Sequence, residues 1–411
     1  MATGKRRFED SLTGATSTAC KKCHDNDDDE IFTSFPVKLI RQIAKHLETL
    51  CCESDYVFKT LKILNCNGAD YNGGIPFAKA YCSVTPGTRT LYFGSVFVHG
   101  IKMLTAFLKN RQVPTDLPRK RLLRKLLFFL SDEGTHLLLK DLEKFHETEL
   151  MMVLANHLYG KLTSSSKYMI DKNSTKETDH CPCNSESCRL SGQFADTGIG
   201  NEEVWHGNLD IIVDNDMVGL SYPSGNKEEI LGGNEAKIRH VDLSRNQQII
   251  SQTIVFSFLQ KQRHPDSNNF LFPCIGAAHE GMVVYFYDSQ KDILLESSFI
   301  PFMSVEGKVN VHAILASWFA VNYKYLSSGI PCSKSHDDKS AFLSHVKEKL
   351  GIYEHNLKFG NLGVPVSFED DESDLEVEQS DFLSETRWEL LELGSMPDGH
   401  SEQYCLLDKE M

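Results

Sequence analysis

The chain has 411 residues, 41% of them hydrophobic, and a formal net charge of −14. This length allows two or three domains with a sizeable core. The sequence lacks the long apolar run of a membrane span and the apolar segment of a secretory signal. We therefore expect an intracellular protein, nuclear or cytoplasmic, with no membrane partner. The oligomeric state stays open.

The negative charge is concentrated in the C-terminal tail. Residues 366–411 carry fifteen Asp or Glu against Arg387 and Lys409, a net −13, which leaves −1 for residues 1–365. Residues 101–130, in contrast, carry eight Lys or Arg and one Asp. A segregated positive surface for a polyanion therefore remains compatible with the acidic total.

Composition and hydrophobic periodicity predict six segments. They are a disordered N-terminus (1–30), a mainly helical region (31–162), a polar cysteine-containing linker or insertion (163–201), an α/β core (202–330, with the helix at 140–162 as part of it), a C-terminal helical extension (331–365) and a disordered acidic tail (366–411).

Within the core, short apolar segments predict strands that alternate with helices. "VWHGNLDIIV", "MVGLSY" and "EAKIRHV" are predicted strands, and the helix "DLSRNQQIISQTIVFSFLQKQ" follows with Asp242 or Ser244 as its N-cap. Three more predicted strands, "NFLFPCIGAA", "GMVVYFYDS" and "DILLESSFI", precede a second helix, "NVHAILASWFAVNYKYL". This order favours an α/β (α+β) fold.

Asp210 lies inside the first of these strands, where burial of a carboxylate is costly without a positive partner. Glu235 and Lys237 are two residues apart, so on a strand they point to the same face. Gln252 lies on the helix that follows. Two carboxylates can hold Mg²⁺, and a lysine beside them can position a water, so the set suits metal-assisted phosphodiester hydrolysis.

The order Gly207-x-x-Asp210, Glu235-x-Lys237, Gln252-x-x-x-Phe256 resembles the PD-(D/E)XK nuclease superfamily, in its RecB and lambda-exonuclease-like branch, over about residues 140–325. The resemblance implies a restriction-endonuclease-like mixed central sheet flanked by helices. It implies Mg²⁺ (or Mn²⁺) as cofactor and nucleic acid, DNA rather than RNA, as substrate. Asp210 and Glu235 would be metal ligands, Lys237 the catalytic lysine, and Gln252 a supporting residue of the site.

The branch also places a Glu or His on a helix before the Asp210 strand. Glu149 and His157 both qualify for this position and remain unseparated, and Glu203, just before the strand, is a third candidate. The sequence departs from the signature in three places, one of which is the long interval of 25 residues from Asp210 to Glu235. Gly232, Gly233 and Asn234 precede Glu235 where apolar residues are usual, and Phe256 stands where the branch has a tyrosine.

Twelve cysteines at irregular spacing favour reduced thiols over a disulfide framework. The segment "HCPCNSESC" contains His180 followed by Cys181, Cys183 and Cys188, and "CKKCH" contains Cys20, Cys23 and His24. Neither has the spacing of a complete zinc site. We expect unliganded thiols, with zinc at Cys181, Cys183 and Cys188 as the less favoured alternative.

A basic segment, "PRKRLLRKLLFFL", is a candidate nucleic-acid-binding face. Its cations are Arg119, Lys120, Arg121, Arg124 and Lys125. A phosphate-tracking face and an ordinary solvated helix face are equally compatible with this pattern.

Two other interpretations of the core remain open. Asp210 and Lys237 could form a partly buried ion pair without catalytic meaning. Alternatively, the chain is a catalytically inactive nuclease-fold protein that binds nucleic acid, or a scaffold that recruits partners through the tail segment "SETRWELLEL".

Overall fold

The computed structural model describes residues 32, 35–70, 73–132, 139, 141–183, 185–213, 218–223, 242–267, 269–331 and 338–360. The predicted N-terminal segment 1–30 and acidic tail 366–411, which contains "SETRWELLEL", lie outside the described residues. So does the segment that contains Glu235 and Lys237.

The helices of the described residues alternate with strands. They are α1 (Val37–Cys52), α2 (Phe93–Val96), α3 (Val98–Asn110), α4 (Leu117–Ser131), α5 (Glu147–Leu154), α6 (Gly160–Leu162), α7 (Gln247–Arg263), α8 (Val311–Val321), α9 (Tyr323–Leu326), α10 (Phe342–His345) and α11 (Leu350–His355). A π turn, Ala155–Tyr159, joins α5 to α6 in one continuous helix, and Phe77–Lys79 and Leu142–Lys144 form 3₁₀ turns. Across the described ranges, no helix combines the length and apolar character needed to cross a bilayer.

The strands are β1 (Val57–Cys66), β2 (Ile75–Pro76), β3 (Cys82–Tyr92), β4 (Tyr168–Asp171), β5 (Gln193–Ala195), β6 (Gly198–Gly200), β7 (Trp205–Asn208), β8 (Ile211–Val213), β9 (Val218–Ser221), β10 (Leu271–Ala277), β11 (Gly281–Asp288), β12 (Ile293–Ser297), β13 (Ile300–Pro301) and β14 (Lys358–Phe359).

The strands form two sheets. The large sheet runs β3-β1-β12-β11-β10-β9-β8-β4-β5, with β13 paired to β11, and the small sheet runs β14-β6-β7-β2. β9 and β10 are parallel, as are β4 and β5, whereas β8 is antiparallel to both of its neighbours. The predicted α/β class, with a large mixed sheet and flanking helices, is therefore confirmed.

Strands β9 and β10 are parallel neighbours, and parallel neighbours require a crossover connection. Helix α7, which lies between them in the chain, belongs to this crossover. It contacts β10 and β11 of the large sheet and β6 and β7 of the small sheet. All residues from Ile249 to Gln260 are buried, which is expected of a helix covered on all sides. This position brings α7 beside the passage from β7 to β8.

The region 31–162 contains strands as well as the expected helices. Strands β1 and β3 form a long antiparallel pair there, and β1 also pairs with β12. The region therefore contributes to the same large sheet as the core. Likewise, 163–201 contains β4 and β5 of the large sheet and β6 of the small one, so it is not a simple linker.

Candidate metal centres

Asp210 lies at the passage from the small sheet to the large one. β7 ends at Asn208 and β8 begins at Ile211, so the predicted continuous strand is divided between two sheets. The peptide oxygen of Asp210 accepts a hydrogen bond from Asp171 N (3.0 Å), and its Oδ2 accepts one from Tyr222 N (2.7 Å). The carboxyl group is thus held at the head of β8, between β4 and the end of β9.

The surroundings of Asp210 are negative. Burial raises the pKa of this carboxyl to about 7, and the neighbouring carboxylates of Asp171 and Glu147 add to the rise, which the Tyr222 N–H opposes. Among the described residues, no Lys or Arg forms an ion pair with any of these three acids. A carboxylate in such a setting favours either a proton or a metal cation.

A chain of polar contacts connects Asp210 to α7. The buried Asp171 accepts a hydrogen bond through Oδ1 from Asn208 Nδ2 (2.7 Å). The peptide oxygen of Asn208 accepts one from Gln252 Nε2 (3.4 Å). Gln252 Oε1 is buried and has no hydrogen-bond partner. Gln252, the predicted supporting residue, is therefore linked to Asp171 through Asn208 and keeps an unsatisfied acceptor.

The first-motif candidates separate in the structure. Glu149 Oε2 accepts a hydrogen bond from His146 N (3.1 Å) at the start of α5, a helix-capping role. Glu203 is exposed in the turn before β7, and His157 belongs to a different cluster described below. Glu147, at the first position of α5, is the helix acid that interacts electrostatically with Asp210.

Glu235 and Lys237 belong to the segment outside the described residues, so their relation to Asp210 stays a prediction. The described acids alone do not make a compact ion site. Among the described residues, one group of three or more His, Cys, Asp or Glu has its ligand atoms close together, and this group contains none of the acids around Asp210.

That one group is His157, Cys181, Cys183 and Cys188, whose ligand atoms all lie within 4.8 Å of one another. Nε2 of His157 is 3.2 Å from Cys181 Sγ and 3.6 Å from Cys188 Sγ. His157 and Cys181 are buried, and Cys183 and Cys188 are half-buried. Three thiols and one imidazole around a common centre could bind a metal of the zinc type.

Two different elements supply these ligands. His157 comes from the π turn of the helix 147–162, and the cysteines come from the loop between β4 and β5. Burial, followed by the charge of Lys161, lowers the pKa of His157 to about 4, so its imidazole is neutral at pH 7. A neutral imidazole is the form that binds metals.

The structure adds His157 to the three cysteines as a fourth potential ligand, so the less favoured zinc alternative has a set of four potential ligands. His180, the histidine adjacent to Cys181, is exposed and contacts Arg189 instead. Cys20, Cys23 and His24 lie outside the described residues.

The basic residues of α4 make contacts within the protein. Arg119 donates to Asp116 Oδ2 and to the Tyr325 carbonyl, and Lys125 Nζ donates to Ser166 Oγ. Arg124 is buried, with its guanidinium over the Phe128 ring. Lys120 and Arg121 are half-buried. Nucleic-acid contact through this helix stays a prediction.

Sequence reasoning missed Glu147, Asp171 and the role of His157. Asp171 ends a short strand before a polar loop, a signal that could have marked it as a loop-edge acid. The convergence of His157 with the cysteines has no local signal, because it depends on how the loop packs against the helix.

Comparisons with protein-family models, with curated proteins and with solved structures found no match to this chain.

Proposed function

We propose that the chain is a divalent-metal-dependent nuclease that hydrolyses phosphodiester bonds of nucleic acid, DNA rather than RNA, on a restriction-endonuclease-like core. The observation that carries the proposal is the Asp210 carboxyl at the head of β8, near two further carboxylates and without a cationic partner among the described residues. Gln252 lies on α7, which follows β8 and β9 in the chain, and the segment with Glu235 and Lys237 falls between β9 and α7, outside the described residues.

The described residues fit part of a metal site. Asp210 offers a carboxylate whose Oδ2 is fixed by Tyr222 N–H, and the buried Gln252 Oε1 lacks a partner that a bound water could supply. Asp210 and Glu235 would hold the metal, which would be Mg²⁺ or Mn²⁺ because hard cations prefer such sparse oxygen ligands. When bound, the metal would stabilise negative charge on the phosphate oxygens.

The protein residues have separate tasks in this proposal. Lys237 would position the attacking water and offset charge on the phosphate. Gln252 would hold the β7–β8 passage through Asn208, and thereby keep Asp171 and Asp210 in place. Glu147 would fill the helix position of the first motif and contribute negative charge to attract the cation.

The proposal is tested by cleavage of labelled single- and double-stranded DNA and of RNA in Mg²⁺, Mn²⁺ or EDTA. The variants are Lys237→Ala and, as a matched control from the same segment, Lys227→Ala. We expect metal-dependent products from the wild type and from Lys227→Ala, and a loss of at least ~100-fold with Lys237→Ala, the scale of a lost group that stabilises transition-state charge. Binding of DNA without cleavage by the folded wild type would favour the inactive nuclease-fold alternative.

A further inference from the structure

The cluster of His157, Cys181, Cys183 and Cys188 lies outside the machinery proposed above. Its histidine is 24 positions from Cys181 along the chain, so the cluster joins two distant segments. The segments are the helix 147–162, which is part of the core, and the loop between β4 and β5. Any bond between His157 and the cysteines would therefore hold the loop against the helix.

The distances agree with those of a tetrahedral zinc site. With Zn–N and Zn–S bonds of about 2.0 and 2.3 Å, a ligating nitrogen and sulfur lie roughly 3.5 Å apart. The two measured separations from His157 Nε2, 3.2 Å to Cys181 Sγ and 3.6 Å to Cys188 Sγ, lie on either side of that value.

The neighbour of His157 supports the same cluster. Asn156 Nδ2 donates to Cys188 Sγ (3.4 Å) and to the Arg189 carbonyl (3.1 Å). Asn156 Oδ1 accepts from Tyr168 OH (2.9 Å) and from Ser191 N (3.2 Å). Hydrogen bonds to metal ligands from neighbouring residues, such as those of Asn156, orient the ligands in metal sites. His157 also lies in a π turn, and π turns occur frequently at functional positions.

The loop backbone also closes around the cysteines. Cys181 N donates to the Cys188 carbonyl (3.3 Å), and Cys188 N donates to the Ser185 carbonyl (3.0 Å). Leu190 N donates to the Asp179 carbonyl (3.0 Å), and His180 and Arg189 form an antiparallel bridge. The loop is thus folded into a hairpin whose inner side presents the thiols to the helix.

We propose that His157, Cys181, Cys183 and Cys188 bind one Zn²⁺ ion in a closed, structural site that fastens the β4–β5 loop to the helix 147–162. Four protein ligands leave no open position for a substrate or water, which separates this site from a catalytic zinc centre. A loop of mostly polar residues gains a fixed position from the metal.

The first test measures metal in the full-length protein, purified under reducing conditions without chelator. We expect one zinc and no stoichiometric iron per chain. His157→Ala and Cys188→Ser should each lose the zinc, whereas His180→Ala should retain it because His180 is exposed and faces Arg189. Loss of zinc with His180→Ala and retention with His157→Ala would overturn the assignment.

A second measurement on the wild type protects the test from variants that fail to fold. Zinc is removed with a chelator and replaced by Co²⁺, and the absorption spectrum is recorded. We expect tetrahedral bands with strong thiolate charge transfer, and recovery of the thermal transition that chelation lowered. An octahedral cobalt spectrum, a disulfide among the three cysteines in the purified protein, or no uptake of Zn²⁺ by the reduced protein would each overturn the proposal.

Discussion

Nε2 of His157 lies 3.2 Å from Sγ of Cys181, although the two residues are 24 positions apart in the chain. The contact exists because a π turn interrupts the helix at Ala155–Tyr159 and the β4–β5 loop folds back onto it. A second pair of distant residues meets nearby, where Asp171 N donates to the Asp210 peptide oxygen. Asp171 ends β4 and opens the loop that carries the three cysteines, so the two candidate centres share one element.

Asn156 should control zinc affinity without being a ligand. Replacing it with Ala removes the N–H donor to Cys188 Sγ and the contacts to Tyr168 and Ser191. We expect zinc affinity to fall by roughly 10- to 100-fold, the range for outer contacts of metal ligands. Competition with a colorimetric chelator measures this, with Ser185→Ala as the control because its hydroxyl contacts only Ser187 among the described residues. Equal affinities in both variants would contradict the role given to Asn156.

Glu147 and Glu149 should have separable effects. Glu147→Gln removes a negative charge near Asp210 that would attract the metal cation, so metal-dependent cleavage should fall by at least ~10-fold with little change in stability. Glu149→Gln weakens the bond to His146 N, so it should cost about 0.5–1 kcal/mol of unfolding free energy and leave cleavage near wild type. Kinetics and urea unfolding of both variants check the pair. The reverse pattern would return the first motif to Glu149.

Asp210 should reduce stability in the absence of metal as pH rises. Its folded pKa is raised from 3.8 to about 7, so the unfolded chain loses its proton first and stability falls between these pH values. Asp210→Asn removes this effect, while its amide oxygen can still accept from Tyr222 N. Because the side chain keeps some exposure, we expect a gain of about 1 kcal/mol at pH 7.5 in EDTA and no gain near pH 4. Urea unfolding at both pH values is the measurement. A loss of stability at pH 7.5 would show that the carboxylate has a cationic partner.

His312 should make the fold sensitive to acid. It lies 3.1 Å from His46 Nδ1 and packs on Tyr56, and burial followed by the charge of His46 lowers its pKa from 6.5 to about 4. The unfolded chain therefore binds the proton more readily than the folded chain does. The contribution of neutral His312 to the free energy of unfolding is complete above pH 6.5 and decreases toward pH 4. His312→Gln should reduce the loss between pH 7 and 5 by about 1 kcal/mol, given the half-buried ring. Thermal melts across this range decide the point, and an unchanged pH slope would contradict it.

Much of the core follows from local patterns. The apolar positions of "DLSRNQQIISQTIVFSFLQKQ" predict a helix, and α7 occupies Gln247–Arg263 with Asn246 as its N-cap. Asn246 takes the cap because its side chain accepts from Gln248 N and Ile249 N, whereas Asp242 Oδ1 bonds Ser244 N in the preceding turn. The strands β10, β11 and β12 lie where their β-branched and aromatic runs predict them.

The remainder depends on tertiary contacts. "VFKTLKILNC" forms strand β1 inside a region with many helices, because it pairs with β3 and with β12, which is distant in sequence. The segment 205–213 looks continuous, yet Gly207 has a positive φ of 143° and the chain changes sheets at Asp210. No spacing rule could pair His157 with the cysteines, because the loop between them must first fold.

The most direct test of the nuclease proposal is the single-turnover cleavage rate of labelled DNA in Mg²⁺, compared between wild type, Asp210→Asn and the exposed-acid control Glu202→Gln. The proposal predicts cleavage by the wild type that EDTA abolishes, a rate near wild type for Glu202→Gln, and a loss of at least ~100-fold for Asp210→Asn with the fold retained. Equal rates for Asp210→Asn and the wild type would contradict it, as would the absence of cleavage by folded wild-type protein in either Mg²⁺ or Mn²⁺.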